Sequence, residues 1–274
     1  MQERREFLEH LPPDTHEYRY FGIPSLLDAQ RKECDRFLHS NSSSFVIIND
    51  ITAYELDAHE EEIPGRIDFS PCLQLLVLKM VSLPHEEAAA VFDGLVRDKA
   101  KQMMIHRILS IRRTTRTKTP SRQKQADCSY APRQLPPGRS TQWPTVAVEV
   151  AFSEIYEKVK KDIAWWLNSS EGKVLRAISI DIKRPSGNIY ITLWKRGTAT
   201  ERYPNPNPEA IQEIQIHRGK DGKPPTLTGG ELKLTFQQMM LRDPGQGEAD
   251  FVFTREELLD DLAKAVWYGL DNMV

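Results

Sequence analysis

The chain has 274 residues, and its 37 Lys and Arg nearly balance its 39 Asp and Glu, so net charge neither demands nor excludes a polyanionic partner and the local distribution must decide. Hydrophobic residues at 39% and charged residues at 28% give a globular balance and exclude a wholly disordered chain. Cys34, Cys72 and Cys128 are too scattered for a disulfide framework or a zinc set, the start MQERREFLEH is not a secretory signal, and no stretch approaches the roughly 20 apolar residues that cross a bilayer, so a cytosolic or nuclear protein is expected.

The first part reads as mixed structure. IPSLLDAQRKECDRFLHS carries Leu26, Leu27, Ala29, Cys34, Phe37 and Leu38 at near-helical spacing, and SFVIINDI and CLQLLVLKM are apolar runs suited to strands. Between them DAHEEEIPGR reads as an acidic loop with no assigned role. The longest helical signal is LPHEEAAAVFDGLVRDKAKQMMIHRILSI: Pro84 stands at its entrance, Glu86 and Glu87 lie where the helix dipole favours acids, and Val91, Phe92, Leu95, Val96, Ala100, Met103 and Met104 form an apolar stripe. This helix is scaffold, with Glu86 an outside candidate for a site.

The composition then changes. RRTTRTKTPSRQK has no apolar periodicity and reads as an exposed basic loop carrying Arg112, Arg113, Arg116, Lys118, Arg122 and Lys124, residues able to hold phosphates. After Asp127 and a short alternating segment comes a Pro- and Gly-rich loop bearing Arg133 and Arg139. PTVAVEV is the clearest strand, with Val146, Val148 and Val150 on one face and Thr145, Ala147 and Glu149 on the other. SEIYEKVKKDIAWWLNSSEG predicts a helix with Ser153 as N-cap, a stripe of Ile155, Val159, Ile163 and Trp166, and Gly172 near its end. KVLRAISIDIK and GNIYITLWKR predict a hairpin turning at RPSG, YPNPNPEA a linker, IQEIQIHR and ELKLTF short strands, and TREELLDDLAKAVWYGL a closing amphipathic helix.

An acid in so apolar a strand as PTVAVEV is costly to bury unpaired and needs a partner. Asp127 and Glu149 on neighbouring strands could converge on one divalent ion, since facing cross-strand side chains lie about 4.5–5.5 Å apart. Mg²⁺ suits such a place because it takes one or two carboxylates and leaves its other positions to water and phosphate, and Mn²⁺ is an alternative.

ADCSYAP, WPTVAVEVAFSE and DIAWWLNSSEGKVLRAISIDI resemble a group of uncharacterised fungal proteins related to the PD-(D/E)XK, restriction endonuclease-like nuclease superfamily, and a bacterial restriction endonuclease family common in cyanobacteria. The resemblance covers roughly His85 to Arg196. It implies an α/β fold, a central mixed sheet flanked by helices, with an N-terminal extension over 1–84, the core over 85–198 and a C-terminal extension over 199–274. It also implies Mg²⁺-dependent phosphodiester hydrolysis of nucleic acid, DNA in the first instance, with Asp127, Glu149 and the Val150 carbonyl as metal ligands. The lysine of that motif would stand at Ala151. Its absence implies either an inactive nucleic-acid- or protein-binding module on the same fold or a lysine moved to the following helix, where Lys158, Lys160 and Lys161 remain open choices.

The residues also allow plainer readings. Asp127 suits a turn, and the basic run suits a solvated loop or a nuclear localisation signal. Trp165 and Trp166 look like a stacking platform, although the apolar stripe requires at least one of them in the core.

Overall fold

The apolar runs FVIIN and LLVLK form the middle of one sheet and the valine strand forms the middle of another; this computed structural model describes residues 2–40, 42–112, 115–152, 155–220 and 222–273. In chain order the elements are α1 (Gln2–Leu8), β1 (His16–Arg19), α2 (Ile23–His39), β2 (Phe45–Asn49), α3 (Ala53–Ala58), β3 (Arg66–Ser70), β4 (Leu75–Lys79), α4 (Leu83–Gln102) and β5 (Leu109–Arg112). There follow β6 (Arg116–Lys118), β7 (Gln123–Gln125), β8 (Cys128–Pro132), β9 (Val146–Phe152), α5 (Tyr156–Ser169), β10 (Arg176–Lys183), β11 (Asn188–Lys195) and β12 (Glu209–His217). The chain closes with β13 (Thr226–Thr228), β14 (Leu232–Leu234), α6 (Phe236–Met240), β15 (Phe251–Phe253), a π-helical turn over Glu257–Ala263 and α7 (Lys264–Asp271).

The fold is mixed α/β, with two large mixed sheets flanked by helices. The first sheet runs β1-β2-β4-β3-β7-β6 and the second β13-β12-β11-β10-β9-β8-β5, with β14 and β15 pairing separately. Each large sheet contains one parallel pair, β1 with β2 and β9 with β10. Residues 116–125 therefore leave the second sheet, complete the edge of the first, and return as β8. On the C-terminal side, β12 and β13 extend the second sheet beyond the β10–β11 hairpin.

The two faces of the first sheet differ in kind. Val46, Ile48, Ile67, Phe69, Leu76 and Leu78 form one core with Leu26 and Ala29 of α2. The opposite face carries Phe45, Ile47, Leu75 and Val77 at one end, packed with Phe7, Leu8 and Leu11. At its other end are charged side chains, set out below, that turn toward the second sheet. The second sheet buries Val146, Val148, Val150, Ile178, Ile180 and Ile191 in a core shared with α4 and the C-terminal segment. Its other face meets α5 through Ala147, Ala177, Trp165 and Trp166. Removing that many aliphatic side chains from water, at about 25 cal/mol per Å² of apolar surface, is what holds the layers together.

Two glycines mark close approaches. Gly65 has φ +103° and lies against the Lys79 carbonyl, and Gly269 of α7 lies against the backbone of Pro84 at the start of α4; a Cβ at either position would clash.

Several local expectations are revised. The long helix ends at Gln102, so His106 lies beyond it, and Met104 is 81% exposed with φ 58° instead of continuing the stripe. Ile155 is the N-cap residue of α5 and is exposed, while Val159, Ile163 and Trp166 are buried as expected; Ser153, the expected cap, lies outside the described residues. Trp165 and Trp166 are both buried, with ring centroids 4.7 Å apart, and Trp143 packs on them, so they make core and not an open stacking platform. No described helix is long and apolar enough to cross a membrane.

Candidate functional site

Asp127 immediately precedes β8. Its N–H donates to the Val148 carbonyl, and continuing the register of Cys128 with Val148 sets it opposite Glu149, on the side of the sheet away from the valine core. The backbone N–H of Val150 donates to Asp127 Oδ2 at 2.7 Å. Three cationic side chains converge on the same buried carboxylate: Lys79 Nζ is 3.4 Å from Oδ2, while Arg66 Nε and His85 Nε2 lie 3.0 and 3.1 Å from Oδ1. Arg66 and Lys79 are cross-strand partners in β3 and β4, which is why both reach one acid. His85 comes from the first turn of α4, and Glu86 beside it binds Arg66 at 2.8 Å and His85 at 3.2 Å. Burial alone would raise the Asp127 pKa, but His85, Lys79 and Arg66 outweigh it and hold the carboxyl well below its usual range. Burial would lower the His85 pKa, and the Asp127 charge overcomes this and raises it.

Glu149 has other neighbours. Trp166 Nε1 donates to its Oε1 at 2.6 Å, and Lys124 Nζ lies 3.4 Å from the same oxygen. Burial raises the Glu149 pKa; Lys124 opposes this, and the nearby Asp127 and Asp162 charges add to it. Asp162 of α5 is the centre of the wider network, 2.5 Å from Lys158 Nζ, 3.2 Å from Lys124 Nζ and 3.0 Å from Arg122 Nη2. Arg122 also clasps Asp68 of β3 through two guanidinium nitrogens, and its ring-like plane lies over Trp165. Burial works against ionisation of Asp162, yet Lys124, Lys158 and Arg122 drive its pKa down.

Asp127 and Glu149 are thus brought to facing positions, as the strand pattern suggested. The amines beside them come from elsewhere than expected. Lys79 and Lys124 of the first sheet stand at the acids, whereas Lys158 is spent on Asp162, Lys160 is half-buried on α5, and Lys161 bonds the Glu6 carbonyl and faces Glu9. Ala151, at the motif's lysine position, pairs with Asp181 of β10.

The Val150 carbonyl, expected as a third metal ligand, accepts from Lys79 Nζ at 2.5 Å. The seat that a divalent ion would take between Asp127 and Val150 therefore holds an ammonium. Glu149 Oε1 is likewise engaged by an indole and a second ammonium. In this arrangement the residues do not fit Mg²⁺ or Mn²⁺, which need carboxylate and carbonyl oxygens turned toward the ion at about 2.0–2.1 Å for Mg²⁺. Among the described residues, no group of three His, Cys, Asp or Glu side chains could hold a metal either.

The basic run is not one exposed loop. It supplies β6 and β7, and Arg116, Arg122 and Lys124 are buried in ion pairs, Arg116 with Asp57 and Glu60. Lys118 also reaches Asp57, at 2.8 Å, but remains half-exposed. The acidic segment left without a role, DAHEEE, is thus the counter-charge for part of this run. A grip on phosphate by Arg116, Arg122 and Lys124 is corrected accordingly, because their charge is already neutralised inside the protein. Arg112 lies on the edge strand β5, where it bonds the Thr141 carbonyl at 2.6 Å, and Arg113 lies outside the described residues.

No family model matches the chain, and no curated protein matches it. Among solved structures, one similar protein is described as a "putative nuclease belonging to DUF820" from Anabaena variabilis ATCC 29413; it is 13% identical, the match covers 59% of this chain and 84% of the other, and the TM-score is 0.35. A likeness of that size carries no argument about activity, so the chemistry rests on the side chains themselves.

Arg66, Asp68, Lys79, His85 and Asp162 are site residues that the sequence did not single out, and Trp166, read there as core or stacking platform, is instead the donor to Glu149. Lys79 and Asp68 carry the same signal that marked Glu149, a charge within an apolar strand.

Proposed function

We propose that this chain is a nuclease-like, nucleic-acid-binding protein that does not cut. The observation that carries the reading is Lys79, whose ammonium bonds the Val150 carbonyl and faces Asp127 where a catalytic cation would have to sit. Metal-assisted hydrolysis needs an ion able to activate water and take up the charge that develops on phosphate. A lysine amine coordinates no water, and it is buried with the acids it neutralises. The Mg²⁺ or Mn²⁺ chemistry expected from the motif would require that amine to leave.

Binding is supported by what remains exposed of the basic residues. Arg139, its pKa lowered by burial and by the nearby Arg112 charge, bonds the Lys173 carbonyl, and Arg107 and Arg133 are exposed near the same edge of the second sheet. Such an edge attracts a polyanion with little sequence preference, and added salt weakens the attraction.

The test uses supercoiled plasmid and labelled single- and double-stranded DNA and RNA, with Mg²⁺ or Mn²⁺. The expected result is salt-sensitive binding, weakened by Arg112→Glu together with Arg139→Glu, and no cleavage under any of these conditions. Metal-dependent cleavage that disappears in Glu149→Ala would overturn the reading. Absence of nucleic-acid binding would overturn its binding half and leave a protein-binding module.

A further inference from the structure

We infer that the cleft between the N-terminal half of α5 and strands β10, β11 and β12 is a binding site for a small organic cation, an ammonium or guanidinium group on a short apolar stem. It lies apart from the arginines proposed to hold nucleic acid. Those stand at the β5 edge of the second sheet, whereas the cleft lies over strands toward the opposite edge.

Strand alternation builds the cleft. In RAISIDIK the isoleucines turn into the core, so Ser179 and Asp181 lie on the face that meets α5, in register with Glu149 and Ala151. Across the strands, Ser179, Thr192 and Glu213 form one row, and Asp181, Tyr190 and Gln215 form the next. These rows, with Tyr156 and Val159 of α5, line about 190 Å³ of free space. That is below the roughly 300–1,000 Å³ of pockets for drug-sized ligands, so the occupant is small.

Three features set its chemistry. First, polar side chains buried under a helix need partners. Thr192 is more than nine-tenths buried and lines the cleft, yet its hydroxyl bonds no other described residue. Ser179 Oγ accepts from Trp194 Nε1 at 2.9 Å and has a second lone pair to offer. Second, carboxylates outnumber cations along the lining. Lys183 pairs with Asp181 at 2.6 Å, and the exposed Glu213 pairs with no described cation. The charge left over reaches Tyr156: burial raises the pKa of that phenol, and Glu213, Glu157 and Asp181 raise it further. Third, Tyr156 and Tyr190 flank the space, and an aromatic face attracts a cation held within about 6 Å of its centre. A cation therefore gives donors to the hydroxyls and charge to Glu213, while its stem lies against Val159 and the rings. A phosphate would meet a potential of the wrong sign.

The experiment is calorimetric titration of the full chain with agmatine, which carries a guanidinium and an ammonium on a butyl stem, and with butylammonium. Butanol and inorganic phosphate serve as uncharged and anionic probes. Native protein is compared with Glu213→Gln, Tyr156→Ala and Thr192→Val, with folding checked by circular dichroism. Glu213 and Tyr156 are exposed, so these two substitutions leave the core untouched. Native protein should bind one agmatine per chain with a Kd of roughly 0.1–1 mM, and butanol and phosphate should show no saturable uptake. Glu213→Gln should weaken agmatine binding about tenfold and Thr192→Val about fivefold. Arg112→Glu together with Arg139→Glu should leave it unchanged, which separates this site from the nucleic-acid reading.

Absence of saturable uptake of both agmatine and butylammonium by native protein overturns the inference. Uptake that persists unchanged in Glu213→Gln and Tyr156→Ala places the cation elsewhere and overturns it as well. Phosphate binding more tightly than agmatine would reverse the sign of the site, with the same consequence.

Discussion

Asp127 and Glu149 face each other across two strands, yet their surroundings are opposite in sign of effect. Asp127 lies among Lys79, Arg66 and His85, and its ionised form is strongly favoured. Glu149 has an indole and one shared lysine, and its pKa is raised by burial and then by two nearby carboxylates. The same residue type in the same kind of position is therefore a keystone in one case and a strained neighbour in the other. What differs is how many cations the first sheet and α4 deliver to each.

The largest expected effect comes from removing the keystone. Asp127→Asn leaves three cationic groups, two of them buried, facing an amide and should lower the unfolding free energy by about 3–5 kcal/mol, measured by urea denaturation. A loss below about 1 kcal/mol would mean that these cations find other partners and that the comparison is wrong.

Asp162→Asn tests whether the Glu149 half of the network has a keystone of its own. Lys158 would lose its 2.5 Å partner, while Arg122 would keep Asp68 and Lys124 would keep Glu149. The expected loss is smaller, about 1.5–3 kcal/mol by the same measurement.

Much of the scaffold could be read in advance because its signals are local. The 3.6-residue spacing of Leu26, Ala29 and Phe37 gives α2, alternation gives β9, and RPSG gives the turn between β10 and β11. Asp127 was visible through the resemblance of ADCSYAP, and Glu149 because a charge in an apolar strand calls for a partner. The identity of the acids' partners was not, because it depends on pairing between distant segments: Lys79 is 48 residues from Asp127 and 71 from Val150. The same blindness turned the 116–125 segment into an exposed loop, because its counter-charges, Asp57, Glu60 and Asp68, lie more than 50 residues earlier. Local composition showed where the charge was and could not show that the fold had already neutralised it.

The pH dependence sharpens the contrast next. Asp127 has a lowered pKa, so its contribution is present above the unfolded value of about 3.9 and is lost as pH falls through the folded one. His85 has a raised pKa, so its contribution is complete below the unfolded value of about 6.5 and is lost as pH rises through the folded one. The pair should be most stabilising between roughly pH 4 and 6.5. His85→Gln should flatten the alkaline decline in melting temperature; an unchanged profile would remove His85 from the Asp127 centre.

The smallest effect is expected at Glu149. Gln keeps an oxygen for the Trp166 N–H and removes the charge that Asp127 and Asp162 disfavour, at the cost of one contact from Lys124, which retains Asp162. Glu149→Gln should therefore change stability at neutral pH by less than about 1 kcal/mol in either direction. Its pH trend carries the sign. Because the folded pKa of Glu149 is raised, the native residue is favoured below its unfolded value of about 4.3, and that advantage disappears as pH climbs through the folded value. The stability of Glu149→Gln relative to native protein should thus improve from pH 4 toward pH 7. A relative decline over that range would mean that the Glu149 carboxylate is stabilised as an anion, and the two acids would then be alike after all.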